Sequence, residues 1–264
     1  MTDWNKISRR TAVTAAFGGA GALIWNFNSL TLSPSFAHVF HAVEDWTQAT
    51  QRTLLVPQRM APEYALKDIS PTFKANGTLN PGTDDYNRHV AQGFVNWRLV
   101  IDGLVEKPLS LSIAELRRLP ARTQITKHDC VEGWSAIGMW TGVPLGLLLK
   151  AAGLKPNARY AVFHCADNLD GEESKGGEQS PGQYYESIDL VDAFHPQTIM
   201  AYAMNGQNLA VPHGAPLRLR VERQLGYKHA KYLMGIEMVA ALEQVRGGKG
   251  GFWEDRGYEW YAGI

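Results

Sequence analysis

The sequence predicts an α+β fold that is rich in β-strands and contains short helices. Three observations favour this class. Strand-like segments outnumber helical patterns along the body of the chain, the two helical patterns found there end after about two turns, and no G-x-G-x-x-G motif follows a strand. A parallel doubly wound sheet, which needs long helices between its strands, is therefore excluded.

Apolar runs and apolar–polar alternation mark the strands of this body. They are predicted over Phe94–Val105, residues 121–131, Arg159–Cys165, Ile199–Met204, Leu217–Val221 and Tyr232–Ala240. Asn205 and Gly206 follow one of these strands and are typical of a two-residue hairpin turn. The run Gly247–Gly251 lacks the spacing and the Lys-Ser/Thr ending of a phosphate-binding loop. We interpret it as a flexible turn and expect no nucleotide or NAD site.

The helices of the body are short because their end signals lie close together. Ser112 and Glu115 form a capping box, which predicts a short helix directly after Ser112. Pro144 stands at a first helical position and Gly153 at a C-terminal cap, which predicts a second helix over residues 144–152.

Residues 1–30 have the features of a twin-arginine export signal or an N-terminal anchor. The pair Arg9-Arg10 precedes a Gly/Ala-rich apolar stretch, Ala12–Trp25. This stretch is shorter than the ~20 residues that span a bilayer comfortably. The alternative is a chance arginine pair before a short buried helix. We expect a periplasmic protein that is exported by the twin-arginine route, either released or held at the membrane by this segment.

Residues 31–72 connect this segment to the main domain, which we assign to residues 73–264. Apolar side chains recur at helical spacing over residues 36–52, which predicts an amphipathic helix. This helix packs either on its own domain or on a membrane or membrane partner. A segment rich in Pro and Gly follows it and indicates irregular structure.

Composition limits the functions that the chain can have. The 26 Lys and Arg balance the 26 Asp and Glu, whereas nucleic-acid-binding proteins carry a basic excess. We therefore expect no nucleic-acid partner. The cysteines are Cys130 and Cys165, too few for an iron–sulfur cluster or a disulfide-rich scaffold, and no C-x-x-C-H haem motif is present.

Cys130 is the residue whose surroundings indicate chemistry. It ends a predicted strand among charged and aromatic residues, and Lys127 and His128 are placed to favour its thiolate form. A thiolate serves either as a nucleophile or as a soft metal ligand. His128 could act as the base of a Cys–His pair, so the residues alone leave both uses open.

Three blocks of the sequence carry a family resemblance. Cys130–Ser135, followed by Trp140–Leu145, resembles the molybdenum-binding strand of the sulfite oxidase fold family. Ala201–Gly206 resembles that family's hairpin with the active-site tyrosine. His213–Arg220, followed by Gly226–Lys231, is similar to its pterin phosphate-binding segment. The blocks follow the family's order, and they resemble in particular the periplasmic methionine-sulfoxide reductase catalytic subunits and their exported relatives.

The resemblance implies a sulfite oxidase-type fold and a molybdenum–molybdopterin cofactor. Cys130 would be the protein ligand of molybdenum, since soft thiolates suit such metals and the pterin brings further sulfurs. Tyr202 would be the active-site tyrosine. The residues implied in cofactor binding are Asn76, Cys130, Cys165, His213, Arg218, Gly226, Lys228, His229, Ala230 and Lys231. The alternatives are a solvated strand face for the basic residues and a small core residue for Cys165. We expect no disulfide between Cys130 and Cys165, because it would remove the metal ligand.

The sequence departs from both named groups of the family in the substrate region. Gly133–Ala136 stands where sulfite oxidases have paired arginines, and Tyr202 matches sulfite oxidases but not the reductase. An aromatic pocket is predicted from Trp134, Trp140, Tyr202, Tyr258 and Trp260, and it suits a neutral or weakly polar small molecule. Trp and Tyr are more often core residues, which is the alternative. The polar segment Asn168–Gln183 is a predicted surface loop that borders the entrance.

Together these features predict an exported molybdopterin-dependent oxidoreductase that performs two-electron oxygen-atom transfer at a Cys-ligated molybdenum. It would be sulfoxide reductase-like or sulfite dehydrogenase-like. Because the sequence carries no haem or iron–sulfur motif, we expect a haem-bearing membrane cytochrome subunit as electron partner, with a soluble periplasmic cytochrome as the alternative. A cofactor-free binding module on the same fold, in which Cys130 is structural, is the competing function.

Overall fold

Two β-sheets form the body of the protein in a computed structural model that describes residues 59–170 and 180–264. The strands are β1 (Arg98–Gly103), β2 (Leu109–Ser112), β3 (Arg122–Cys130), β4 (Trp134–Pro144), β5 (Tyr160–Asn168), β6 (Gln183–Asp189), β7 (Ile199–Met204), β8 (Gln207–Asn208), β9 (Arg218–Arg220) and β10 (Leu233–Val239). The export signal and the 36–52 helix that the sequence predicts lie outside the described residues.

The helices are short, as the sequence predicts. They are α1 (Asp84–Ala91), α2 (Ile113–Leu116), α3 (Leu145–Ala152) and α4 (Leu190–Ala193), with 3₁₀ turns at Leu66–Asp68, Val211–His213, Gly226–Lys228 and Glu254–Arg256. The capping box of Ser112 and Glu115 is present at the start of α2. Pro144 precedes α3 as its N-cap rather than as its first helical residue, and Gly153 ends that helix with a φ of 70°. No described helix is long and apolar enough to cross a membrane.

Antiparallel pairing dominates both sheets, which agrees with the prediction that the fold is not a parallel doubly wound sheet. The first sheet has the order β2-β1-β10-β5-β6, in which β1 and β10 run parallel and the other neighbours are antiparallel. The second has the order β3-β4-β7-β8, with β9 also paired to β7. One apolar cluster contains side chains from both sheets and from α3. The first sheet contributes Leu99, Phe163 and Ile236, the second contributes Met200 and Leu219, and α3 contributes Leu148.

Several elements differ from the sequence prediction. The strand predicted over Phe94–Val105 begins only at Arg98, because Phe94 has a left-handed φ of 62° in the turn after α1. β2, β4 and β6 are not among the predicted strands. The sequence of β4 contains Gly138 and Gly142, which weaken a strand pattern, and β6 buries polar side chains that other parts of the chain neutralise. Asn205 and Gly206 form the predicted hairpin turn between β7 and β8.

Candidate active site

A cavity of about 240 Å³ lies beside the end of β3 and collects several of the predicted site residues. Cys130, the last residue of β3, lines it together with Asn76, His229 and Lys231. The other lining residues are Gly77, Thr78, Val131, Glu132, Asp167, Leu169, Tyr184, Tyr227, Trp253 and Tyr258. Segments that are far apart in sequence thus place a thiol, an ammonium and an imidazole around one cavity.

The Cys130 backbone is held in the tight turn between β3 and β4. The Gly133 N–H donates to the Cys130 carbonyl at 3.0 Å, and Gly133 itself has a φ of 85°, which favours glycine. The thiol is half-buried, and this burial raises its pKa above the usual value. Lys127 does not promote ionisation as expected, because it forms an ion pair with Asp129 at 3.0 Å.

His128 is a buried neutral imidazole and not a partner of Cys130. The Arg220 guanidinium donates to His128 Nδ1 at 3.0 Å. Burial and the nearby charges of Arg220 and Arg218 hold the pKa of His128 well below its usual value. No hydrogen bond joins His128 to Cys130 in the part of the chain that the structure describes. The expectation that His128 favours the thiolate is wrong, and the Cys–His nucleophile has no geometric support.

Two arginines of β9 stack on the ring of Trp140, and only one of them has a counter-charge. The guanidinium carbons of Arg218 and Arg220 lie 5.0 and 4.3 Å from the ring centroid. Arg220 forms a two-pronged ion pair with Glu222 at 2.8 and 2.6 Å. Arg218 donates to the carbonyls of His213 and His229, and its Nε has no partner among the described residues.

Among the described residues, Arg218 therefore has no carboxylate partner of its own. Glu222, which pairs with Arg220, is near enough to raise the pKa of Arg218 but forms no ion pair with it. Arg218 is fully buried, and this burial together with Arg220 lowers its pKa to about 9. A buried cation without a carboxylate costs folding free energy unless an anion binds to it. His213 lies beside Arg218, and burial and the Arg218 charge lower its pKa as well. A guanidinium that is fixed in this way is the side chain best suited to binding a phosphate group.

Lys231 joins the cavity to the segments around it. Its Nζ donates to the carbonyls of Asn76, Thr78 and Pro212 at 2.6, 2.5 and 3.0 Å. Burial and the nearby Arg218 lower the pKa of Lys231 to about 7. An anion bound near Arg218 would favour the charged form of both side chains.

The 3₁₀ turn Gly226–Lys228 lies close against β3. A Cβ at Gly226 would lie 2.6 Å from Nε2 of His128, so glycine is required here by close packing. The N–H groups of His229 and Ala230 donate to the carbonyls of Gly226 and Lys228. Those N–H groups are thus used within the segment, and the His229 side chain is what reaches the cavity.

Lys228 does not have the phosphate-binding role that the resemblance implied. Its ammonium is fully buried and pairs with Glu186 at 2.6 Å and with Glu254. Burial alone would lower its pKa, but the two carboxylates outweigh that effect and the pKa is raised. The reason is tertiary, because both glutamates come from segments outside the recognised motif. Lys228 holds β6 and the C-terminal region to the site.

Two further predicted residues lie away from the cavity. Cys165 is fully buried in the apolar core on β5, where burial raises its pKa well above the usual value. Cys165 and Cys130 are both free thiols in the structure, and no disulfide joins them. Tyr202 lines a separate pocket, where the Arg117 guanidinium lies 4.6 Å from its ring centroid. Alternation along β7 turns Tyr202 away from Ala201, which faces Trp140.

The aromatic side of the cavity differs from the predicted one. Of the five predicted aromatic residues, Tyr258 lines the cavity, together with the unpredicted Tyr184, Tyr227 and Trp253. Trp253 and Tyr258 are stacked with ring centroids 5.4 Å apart. Trp140 lies instead beneath the arginines. Leu169, from the predicted entrance loop, does reach the cavity, while residues 171–179 of that loop lie outside the described part of the chain.

Comparison with known proteins gives a family match over most of the main domain. The family described as "Oxidoreductase molybdopterin binding domain" matches residues 87–245. The chain belongs to this family. Its predicted fold class, a β-rich sulfite oxidase-type fold with short helices, is thereby confirmed.

Two relatives from the sequence comparison support the same membership. The chain is 35% identical over 235 residues to a putative protein-methionine-sulfoxide reductase subunit, YedZ1, of Azospira oryzae, covering 89% of this chain and 80% of the relative. It is 35% identical over 168 residues to the protein-methionine-sulfoxide reductase catalytic subunit MsrP of Gluconobacter oxydans, covering 62% of this chain and 52% of the relative. The sulfane dehydrogenase SoxCD of Paracoccus pantotrophus is similar in structure at 26% identity, with a TM-score of 0.48 over 56% of this chain and 40% of that one.

We predict that Lys228 acts on stability in this molybdopterin-binding oxidoreductase. Lys228→Met should lower the free energy of unfolding by about 3–5 kcal/mol, because two buried carboxylates lose their counter-charge. Urea denaturation measures the change. Arg98→Met breaks the exposed Arg98–Glu115 pair, 2.9 Å long, and should have a much smaller effect. Equal effects of the two substitutions would contradict the structural role.

Proposed function

We propose that this chain binds a molybdenum–pterin cofactor through the Cys130 thiolate and catalyses two-electron oxygen-atom transfer. The observation that carries the proposal is the uncompensated buried charge of Arg218 next to the cavity that Cys130 lines. A thiol that a metal can ionise and a cation that needs an anion stand in one region. A pterin with a phosphate group and a metal meets both requirements.

Unpaired buried polar atoms test whether the site suits such a group. Around the cavity and the Arg218 corner, several have no hydrogen-bond partner among the described residues: Asn76 Oδ1, His128 Nε2, Trp140 Nε1, Asp167 Oδ1, His213 Nδ1, Arg218 Nε and His229 Nδ1. Each such atom costs about 1–3 kcal/mol when it stays unpaired. Their concentration in one region fits a large polar ligand that completes their hydrogen bonds.

Different residues would hold different parts of the molybdenum–pterin cofactor. Arg218 and His213 bind the phosphate, Cys130 supplies a thiolate, and Lys231 fixes the 76–78 segment against the cavity. When bound, the molybdenum supplies the two-electron couple on which oxygen-atom transfer depends. The proton of Cys130 leaves on loading, because a metal ligates the thiolate form.

We infer that the substrate is a neutral sulfoxide rather than an anionic sulfite. The cavity is lined by Tyr184, Tyr227, Trp253 and Tyr258, which offer apolar surface and no positive charge. Glu132, which also lines it, accepts hydrogen bonds from Lys74 and from Trp134 Nε1, so the Lys74 charge is already paired. The names of both relatives, which refer to methionine-sulfoxide reductases, support the same substrate class.

The electron partner is proposed to be a membrane protein, most simply a haem-bearing cytochrome subunit. The printed sequence contains no C-x-x-C-H motif and two cysteines, and both relatives are named as subunits. The arginine pair before Ala12–Trp25 supports export by the twin-arginine route to the periplasm. An amphipathic helix over residues 36–52 would keep the enzyme close to a membrane partner and raise its effective concentration.

Removal of the proposed metal ligand should abolish turnover. We predict that Cys130→Ala and Cys130→Ser have no measurable activity with a sulfoxide substrate, because neither a methyl nor a hydroxyl replaces a soft thiolate. Their circular dichroism and unfolding midpoints should stay close to those of the wild type, since Cys130 is half-buried at a turn. Cys165→Ala is the matched control and should keep most of the activity. Wild-type rates in Cys130→Ala would refute the assignment.

Arg218 should govern cofactor retention. Arg218→Ala should lower the bound molybdenum and the bound pterin together by about ten-fold or more, because a charge-assisted hydrogen bond is lost. Activity per molybdenum should stay near that of the wild type. Elemental analysis and pterin fluorescence measure the two contents, with the exposed Arg98→Ala as control. Full occupancy in Arg218→Ala would contradict a phosphate-binding role.

Cell fractionation tests the proposed partner. After export, the mature protein should remain with the membrane fraction after gentle osmotic shock, and its reduction should need membranes. Complete release, combined with equally fast electron transfer from soluble cytochromes, would rule out a membrane partner.

A further inference from the structure

Glu186, Lys228 and Glu254 form a cluster of three ionisable side chains in the protein interior. All three side chains are fully buried. The Lys228 ammonium pairs with Glu186 Oε2 at 2.6 Å and with Glu254 Oε1. β6 carries Glu186, one 3₁₀ turn ends at Lys228, and another begins at Glu254. One positive charge therefore faces two carboxyl groups from different parts of the chain.

Two ionised carboxylates would leave this cluster with a net negative charge and with unsatisfied oxygens. Oε1 of Glu186 and Oε2 of Glu254 are buried and have no hydrogen-bond donor among the described residues. The two carboxyl groups nevertheless lie within hydrogen-bonding distance of each other. Ionised carboxylates can only accept hydrogen bonds, so a bond between them needs a proton on one of the two. A single shared proton supplies the missing donor and makes the cluster neutral.

The groups packed around the cluster offer no second counter-charge. Lys228 is the one cation that acts on the Glu186 carboxyl group among the described residues. Burial and the Glu254 carboxylate raise the pKa of Glu186 well above its usual value, although Lys228 acts in the opposite direction. The other titratable groups that face the cluster are acids whose pKa values are raised as well, so they stay uncharged near neutral pH: Cys165, Tyr184, Tyr185 and Tyr227.

The cluster also holds one wall of the cavity that Cys130 lines. Trp253 directly precedes Glu254, and Tyr258 stacks on Trp253 with ring centroids 5.4 Å apart. Both rings line the cavity. Through Lys228, the Glu254 carboxyl group ties the turn that carries these rings to β6. A second negative charge in the cluster would repel Glu254 from β6 and weaken this tie.

We propose that Glu186 and Glu254 share one proton, and that this acid pair is a pH-sensitive latch on the aromatic wall of the cavity. With the proton in place, the cluster is neutral and the turn Glu254–Arg256 is held against β6. When the proton is lost as the pH rises, the two like charges loosen the turn, and Trp253 and Tyr258 move with it. The acid pair involves no cofactor, so its test does not depend on the proposed function.

The shared proton makes stability depend on pH. Glutamates of the unfolded chain have ordinary pKa values and lose their protons above about pH 4.3, whereas the folded protein keeps one. The stability that the pair contributes is therefore fully present below that pH, and it is lost as the pH rises through the raised pKa of the pair. Within this window one extra bound proton changes the unfolding equilibrium constant by up to about ten-fold for each pH unit.

The test compares full-length wild type with Glu186→Gln, Glu254→Gln and Glu106→Gln. Either buried glutamine keeps the shape and the hydrogen bond of the pair but has no proton that titrates, and Glu106 is an exposed control. Urea unfolding between about pH 5 and 8 gives the unfolding equilibrium constant of each protein. As the pH rises, both buried variants should gain on the wild type by up to about ten-fold per pH unit, whereas Glu106→Gln should keep a constant ratio.

Two further measurements follow the proton and the turn directly. The infrared spectrum of the wild type at neutral pH should contain the C=O band of a protonated carboxyl group, and Glu186→Gln should lack it. The wild-type band can be measured even where a variant does not fold. Hydrogen exchange of residues 250–258, corrected for the intrinsic effect of pH, should accelerate in the wild type between about pH 6 and 9 and much less in Glu254→Gln.

Three results would overturn the proposal. The first is a pH-independent stability ratio for both buried variants, which would mean that both carboxylates are ionised in the folded protein. The second is a wild type without the band of a protonated carboxyl group. The third is unchanged hydrogen exchange of residues 250–258, which would leave the acid pair without an effect on the cavity wall. Cofactor content enters none of these measurements and tests the proposed function separately.

Discussion

The positive charge of Arg218 is buried against Trp140 and has no carboxylate partner among the described residues, and this charge affects the other polar groups of the site. Its guanidinium is held by the carbonyls of His213 and His229, so its position is fixed although its charge is not neutralised. The same charge contributes to the lowered pKa values of His213, His229 and Lys231. An anion at this point would relieve four side chains at once.

Lys228 and Arg218 show two solutions to the burial of a cation. Lys228 meets Glu186 and Glu254 inside the protein, and the three side chains tie β6 to the C-terminal region. Arg218 has no such partner among the described residues. Both lie in motifs that look equally basic in the sequence, but the fold pairs Lys228 with carboxylates and does not pair Arg218. Under the proposed function, Arg218 is therefore the cation that remains available to an anionic ligand.

The sequence was informative where function depends on local motifs. Cys130, Asn76 and Lys231 were predicted as site residues, and they line one cavity. Lys228 was misassigned, since its glutamate partners are distant in sequence. Tyr202 was recognised in a hairpin, but the alternation of β7 turns it into another pocket.

Other features needed the tertiary structure. Asp167 carried a signal that could have been used, because an acidic residue ends the apolar run Tyr160–Ala166 of a buried strand. The raised pKa of Cys130 could not have been predicted, since it depends on burial and on the nearby Glu132 carboxylate. Cavity-lining aromatic residues such as Trp253 come from irregular segments without a sequence pattern.

The central claim is that the buried charge of Arg218 and the thiol of Cys130 hold one molybdenum–pterin cofactor. The most direct measurement is the molybdenum and pterin content of the wild-type protein purified from a molybdate-replete host. We expect close to one molybdenum and one pterin for each chain. A well-folded protein that contains neither, under conditions in which the host loads other molybdenum enzymes, would contradict it.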